Sequence, residues 1–152
     1  MYKTGDYVIC RSGGVWLIED FSQDNCRLRR YDNNDVQSID PKSEEIVRCI
    51  SSKADIEEVI DRVGFIRTVQ APNDRLRLSF LEESMAEFDD VEWVKVIKTV
   101  YLRAQERPVS EKERSLADRA KNYFYSEVSI VLDMPLPEVE GYISSCVEQD
   151  NW

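Results

Sequence analysis

Histidine is absent from the 152 residues of this chain. Without an imidazole there is no Ser-His-Asp or Cys-His nucleophile, and most catalytic metal centres lose their usual ligand near neutral pH. That argues against a hydrolase, and no catalytic residue or small-molecule substrate is expected. Cysteine is sparse and scattered. Cys10, Cys26, Cys49 and Cys146 form no C-x-x-C pair, whereas a tetrahedral zinc site draws on closely spaced thiolates or on imidazole. They read as buried free thiols of a reducing compartment, the alternative being four thiols that meet in space around a metal. No metal or other cofactor is expected. Long apolar runs are missing too, none approaching the roughly 20 residues that cross a bilayer. The opening Met1-Tyr2-Lys3-Thr4-Gly5-Asp6 has no apolar signal core, so a cytoplasmic location with no membrane partner is expected. Basic charge is short as well, with 20 Lys and Arg against 30 Asp and Glu, a formal net charge of −10. Nonspecific phosphate-backbone binding needs a basic surface, so the balance points to another protein as the main partner.

What is present is a foldable chain, 42% hydrophobic and 33% charged, long enough for one ordinary domain or two small ones. Residues 1–50 carry β signals. Tyr7-Val8-Ile9-Cys10 and Val15-Trp16-Leu17-Ile18 flank Ser12-Gly13-Gly14, a turn whose glycines accept positive φ. Cys26-Arg27-Leu28-Arg29-Arg30-Tyr31 alternates with a period of two, which puts Cys26, Leu28 and Arg30 on one face. Asp32-Asn33-Asn34-Asp35 reads as a turn. Val36 to Ile39 and Ile46 to Ile50 supply two more strands, giving a small five-stranded bent sheet or open barrel.

Residues 51–152 switch to helical spacing. Ser52 is placed as an N-cap ahead of Ile56, Val59, Ile60 and Val63, with Gly64 as terminator. Pro72-Asn73-Asp74 opens a second helix with Asp74 as its cap and Leu78, Leu81, Met85 and Phe88 on one stripe. The third runs from about Val91 to Glu106 around Trp93, which reads as core, until Pro108 breaks it. Ser110-Glu111-Lys112-Glu113 is a capping box for a long fourth helix, and Pro137 starts a fifth. The expected class is α+β, a bent β module followed by a compact all-helical domain of about five helices. After Lys121 there is no basic residue but Glu127, Asp133, Glu138, Glu140, Glu148 and Asp150, read as a solvated face or, alternatively, as a surface that excludes DNA. Trp152 is expected to be loosely ordered.

These residues resemble a known family. Gly5-Asp6-Tyr7-Val8, Gly14-Val15 and Ile18-Glu19-Asp20 are similar to the opening of CarD-like proteins, a start shared with the polymerase-binding module of the transcription-repair coupling factor. Asn73-Asp74-Arg75, the string from Asp89 to Arg103, Gln105-Glu106-Arg107 and Val131-Leu132-Asp133-Met134-Pro135 resemble the helices of CarD-like regulators from Firmicutes. The resemblance covers nearly the whole chain. It implies a Tudor-like β module in residues 1–50 that docks on the β subunit of bacterial RNA polymerase by adding to a sheet edge. It implies that the helical domain, residues 51–152, lies near promoter DNA upstream of the melted bubble. The chain departs from the family in two places. Gln23-Asp24-Asn25 closes a shorter connection than is usual, and Asp74 stands where some members carry a tryptophan that wedges into the minor groove.

On that resemblance the candidate polymerase contacts are Trp16, Arg27, Arg29 and Arg30. The arginines also read as a solvated sheet face, and Trp16 as either an exposed anchor or a packed ring. The candidate DNA contacts are Asn73, Arg75 and Arg77 near a helix N-terminus and Lys95, Lys98 and Arg103 on the polar side of the third helix. For the last three, solvent exposure or pairing with local acids is the competing reading. The expected function is a non-enzymatic regulator that tunes promoter opening. The alternative is a protein–protein adaptor that has lost DNA contact.

Overall fold

The computed structural model describes residues 1–147 and 152, and the chain divides into two compact units, Met1–Ser51 and Ser52–Trp152. The first unit holds β1 (Tyr7–Cys10), β2 (Val15–Phe21), β3 (Cys26–Arg30), β4 (Val36–Ile39) and β5 (Ile46–Cys49). They form one antiparallel sheet in the order β4-β3-β2-β1-β5. The sheet does not close, so β4 and β5 are its edges. Register shifts between Ile18 and Asp20 and between Ile9 and Cys10 bend it, as bulges do. Alternation places Val8, Cys10, Trp16, Ile18, Cys26 and Leu28 on one face, where they form the core of this unit. Burial there pushes the Cys10 thiol up to about 12, which leaves it a packing group rather than a nucleophile.

Turn chemistry sets the register. Gly13 and Gly14 turn β1 into β2 at φ of 133° and 84°, values that residues with a Cβ rarely adopt. Asn34, at φ 63°, closes the β3–β4 turn, as its short polar side chain allows.

The second unit holds α1 (Lys53–Arg62), α2 (Asp74–Met85), α3 (Asp90–Glu106), α4 (Glu111–Val131) and α5 (Val139–Cys146). Short 3-10 turns lie at Val63–Phe65 and Leu136–Glu138. Ser52 caps α1 by accepting from Asp55 N, and Ser110 caps α4 by accepting from Glu113 N. The second cap corrects the sequence reading: Asn73, not Asp74, caps α2 and accepts from Leu76 N. Asn73 has the extended backbone of a cap, which leaves Asp74 as the first helical residue.

Trp93 and Tyr123 stack at 4.7 Å with an interplanar angle of 9°, and Phe88 meets Tyr123 edge-on at 6.0 Å. These rings centre the α3–α4 core. Phe88 does this from outside α2, which ends at Met85. Trp152 is buried, with its ring 6.5 Å from Phe124 and 6.2 Å from Tyr125. The expectation of a loose terminal residue is therefore corrected, because a large indole finds apolar partners there. The acidic run is not uniformly solvated either. Glu127 is buried inside α4, and Glu140 accepts from Lys121 and Tyr125, while Glu148 and Asp150 lie outside the described residues. Two of the four cysteines, Cys49 and Cys146, are exposed, contrary to the expectation that all are buried.

Candidate interaction surfaces

In the β unit the arginines divide between two faces. Arg27 and Arg29 point away from the core and share one acid: Arg27 Nε lies 3.3 Å from Glu19 Oε1 and Arg29 Nε 2.9 Å from Glu19 Oε2. Glu19 is held below the ordinary carboxylate range, chiefly by the Arg29 hydrogen bond. Arg27 sits opposite Ser38 and Arg29 opposite Val36, so this basic pair runs alongside the edge strand β4. Val36 on that strand is exposed. The result is an unpaired backbone edge flanked by two guanidinium groups, an arrangement suited to receiving an added strand with acidic side chains.

Arg30 lies on the opposite face from Arg27 and Arg29, 5.8 Å from the Trp16 ring centroid and 2.6 Å from Asp32 Oδ1. Trp16 Nε1 donates to the Gly13 carbonyl at 2.8 Å, and the indole is buried. Of the two readings of Trp16, the packed one holds. The indole sits in the core because β2 alternation turns it inward, and it presents no free anchor. Gly14 is needed for the same cluster, since a Cβ there would lie 2.8 Å from Arg30 Nε and 3.1 Å from Trp16 Nε1.

In the helical unit most of the candidate cations are already engaged. Arg77 is buried, donating from Nε to Glu113 Oε1 at 2.6 Å and from Nη2 to Asp74 Oδ1 at 2.9 Å. Its placement as a surface phosphate ligand is corrected, because the partner that draws it inward lies on α4. Arg103 Nη2 donates to the same Asp74 oxygen at 2.9 Å. Asp74 thus bridges two guanidinium groups, and Arg77, by hydrogen bond and charge, holds its carboxyl below the ordinary range. Lys95 pairs with Glu92 at 2.7 Å. Arg75 is exposed and makes no ion pair among the described residues. Asn73 spends its side chain on the α2 cap.

Lys98 is the largest departure from expectation. It does not lie on a polar surface. It is buried, and its Nζ donates to the carbonyls of Val63 at 2.9 Å, Gly64 at 3.3 Å and Ile66 at 2.8 Å. Burial pulls its pKa below the ordinary lysine value. Free carbonyls of the turn after α1 are what bring it in, since such groups need donors once they are removed from water.

Sequence reasoning missed three residues here. Glu113 was legible only as a capping-box member, Phe65 stands in solvent with 87% of its surface exposed, and Arg67 is exposed beside it. Among the described residues, no group of three His, Cys, Asp or Glu is placed to hold a metal ion. No helix among them is long and apolar enough to cross a membrane.

Fold and surface together define a two-module α+β protein, a bent open Tudor-like sheet followed by five helices, whose chemistry-bearing groups are organised as ion pairs. Residues 65–144 match the family described as CarD, C-terminal domain. That is more than half of the chain, and the protein belongs to the CarD family of transcription-related proteins. No curated protein sequence matches it significantly.

Proposed function

We propose that this protein is a cytoplasmic, non-enzymatic bacterial transcription regulator that binds the RNA polymerase β subunit through its β module and modulates promoter opening. The helical unit then lies near upstream promoter DNA. The observation that carries the reading is the CarD C-terminal match combined with an open sheet whose edge strand β4 is lined by Arg27 and Arg29. The proposed polymerase contacts are the β4 edge and those two arginines, with Trp16 and Arg30 shaping the module from within. The proposed DNA contacts are Arg75, Lys95 and Arg103 on the surface, with Asn73 and Arg77 ordering the α2 N-terminus and Lys98 the turn after α1.

The test is capture of the isolated polymerase β lobe by the full chain. Binding at micromolar concentration that weakens on Arg27→Glu/Arg29→Glu substitution supports the proposal, and no capture at all would sink it. A second reading, a protein–protein adaptor without DNA contact, is favoured by Asp74, which neutralises Arg77 and Arg103 from within. Salt-dependent binding to a forked promoter duplex separates the two, because each phosphate contact adds to the salt slope.

A further inference from the structure

Between α3 and α4 lies a cavity of about 210 Å³. Ile97, Val100, Tyr101 and Ala104 of α3 and Ala117 of α4 give it a mostly apolar lining, to which Trp152 adds an aromatic wall. The Trp152 ring stands 6.2 Å from that of Tyr125, which also lines the cavity, so the indole marks its Tyr125 end. A dry apolar cavity of about 150 Å³ takes up benzene, so this one has room for a substituted ring. Trp152 is 8% exposed, and its Nε1 is buried with no acceptor in hydrogen-bonding geometry among the described residues. A buried N–H left without an acceptor is costly, and an oxygen on a ligand would satisfy it. The neighbouring polar groups are already spent: Lys121 and the Tyr125 hydroxyl both donate to Glu140 Oε1, at 3.2 and 3.3 Å.

The other end has different chemistry. Arg114 and Asp118 stand one turn apart on α4 at the rim, both exposed, and neither makes an ion pair among the described residues. A ligand head with an anionic and a cationic group on adjacent atoms complements that pair. A plain acid or a plain amine would meet one partner and one like charge. From Asp118 to Tyr125 the helix axis advances about 10 Å, the reach of an extended hydroxyphenyl amino acid together with its hydrogen bonds. The three features, an apolar slot, an unmet donor at one end and a free charge pair at the other, match one class of small molecule.

We infer that the α3–α4 cavity is a binding site for a free aromatic amino acid of the tyrosine type. Its carboxylate meets Arg114, its ammonium meets Asp118, its ring lies among the apolar groups and its hydroxyl oxygen accepts from Trp152 Nε1. The site stands apart from the polymerase and DNA contacts proposed above and would make the helical unit responsive to a small-molecule effector. The test is calorimetric titration of the full chain with L-tyrosine, L-phenylalanine, tyramine and 4-hydroxyphenylpropionate. L-tyrosine is expected to bind one to one with a Kd of about 0.1 mM. Phenylalanine, which lacks the acceptor, and the two analogues, which lack one charge each, should bind about tenfold more weakly. Arg114→Gln should abolish the preference for tyrosine over tyramine, and Asp118→Asn the preference over the deaminated acid. Trp152→Phe should bring tyrosine and phenylalanine level. Ala104→Trp, at an exposed position on the cavity wall, should remove binding while leaving the thermal melt by circular dichroism unchanged. No saturable binding of L-tyrosine up to its solubility limit overturns the inference. So does tyramine or the deaminated acid binding as tightly as tyrosine, or tyrosine binding that survives Ala104→Trp.

Discussion

Replacing Arg77 by methionine should cost the helical unit about 3–5 kcal/mol at pH 7, the range found when one partner of a buried ion pair is removed. The size follows from what is left behind. Glu113, with its side chain 4% exposed, would keep its charge but lose donors at 2.6 and 3.4 Å. In the wild type, burial pushes the Glu113 carboxyl up. The hydrogen bond and charge of Arg77, helped by the Ser110 N–H, more than reverse this and leave it below its ordinary value. A depressed carboxyl contributes stability that is present above the unfolded pKa and is lost as pH falls through the folded one. Without Arg77, burial dominates and the folded pKa rises above the unfolded one. The penalty is then full above that raised folded pKa and fades as pH falls through it towards the unfolded one.

The assay is urea unfolding followed by far-UV circular dichroism at a series of pH values, with Trp93 fluorescence as a second probe. Wild-type and Arg77→Met stabilities should converge on the acid side. The double variant Arg77→Met/Glu113→Leu should recover most of the loss at pH 7, since a buried pair exchanged for apolar groups is often close to neutral. A loss below about 1 kcal/mol that does not vary with pH, as for an exposed pair, would refute the reasoning and return Arg77 to the list of surface phosphate ligands.

Three further changes test neighbouring parts of the argument. Lys98→Met leaves the buried carbonyls of Val63 and Ile66 without their ammonium donor; a loss of about 2–5 kcal/mol is expected, with faster hydrogen exchange at Ile66 N–H, and unchanged exchange would show that the clamp is dispensable. Gly14→Ala brings a Cβ to 2.8 Å from Arg30 Nε at φ 84°; about 1–3 kcal/mol of strain should appear in the unfolding of the β unit, with a shifted Trp16 emission, and a wild-type melt would contradict the packing described. Asp74→Asn takes away the charge that faces Arg77 and Arg103; binding to forked DNA should tighten and its salt slope steepen by about 1, whereas an unchanged slope would mean that Arg103 is not freed.

Much of the fold was readable because local chemistry decides it. Period-two alternation put Cys26, Leu28 and Arg30 on one face, and paired glycines at Gly13 and Gly14 marked the turn. Ser110 was legible as a cap because it opens a capping box with Glu113 and no other cap former stands beside it. At Asn73-Asp74 two good cap formers stand side by side, and only the backbone angles choose between them. The candidate sites were less legible for a different reason. Lys98 and Arg77 both lie on helices at positions that pattern alone marks as polar, yet each is drawn inward by a partner distant in sequence. Arg77 and Glu113 are 36 residues apart, and Lys98 reaches carbonyls up to 35 residues away. Backbone carbonyls carry no residue signature, so nothing in the string of letters announces that a lysine will be consumed by them.

That consumption bears on how a protein of net charge −10 would approach a polyanion at all. Arg77 and Lys98 are buried, Arg103 and Lys95 are paired with acids, and of the candidate DNA contacts only Arg75 remains an exposed cation without an ion pair among the described residues. A contact built from so few phosphates is weak on its own and has a shallow salt slope. On the proposed reading it does not have to be strong. Once the β module is docked on polymerase, promoter DNA bound by the same polymerase is presented to the helical unit at a high effective concentration, and a weak second contact becomes intramolecular. Low basic charge then has a use: the helical unit binds DNA only where polymerase has placed it. The division of labour is measurable, because polymerase-free DNA binding should be feeble in wild type and strengthened by Asp74→Asn, while β-lobe capture should be indifferent to that change.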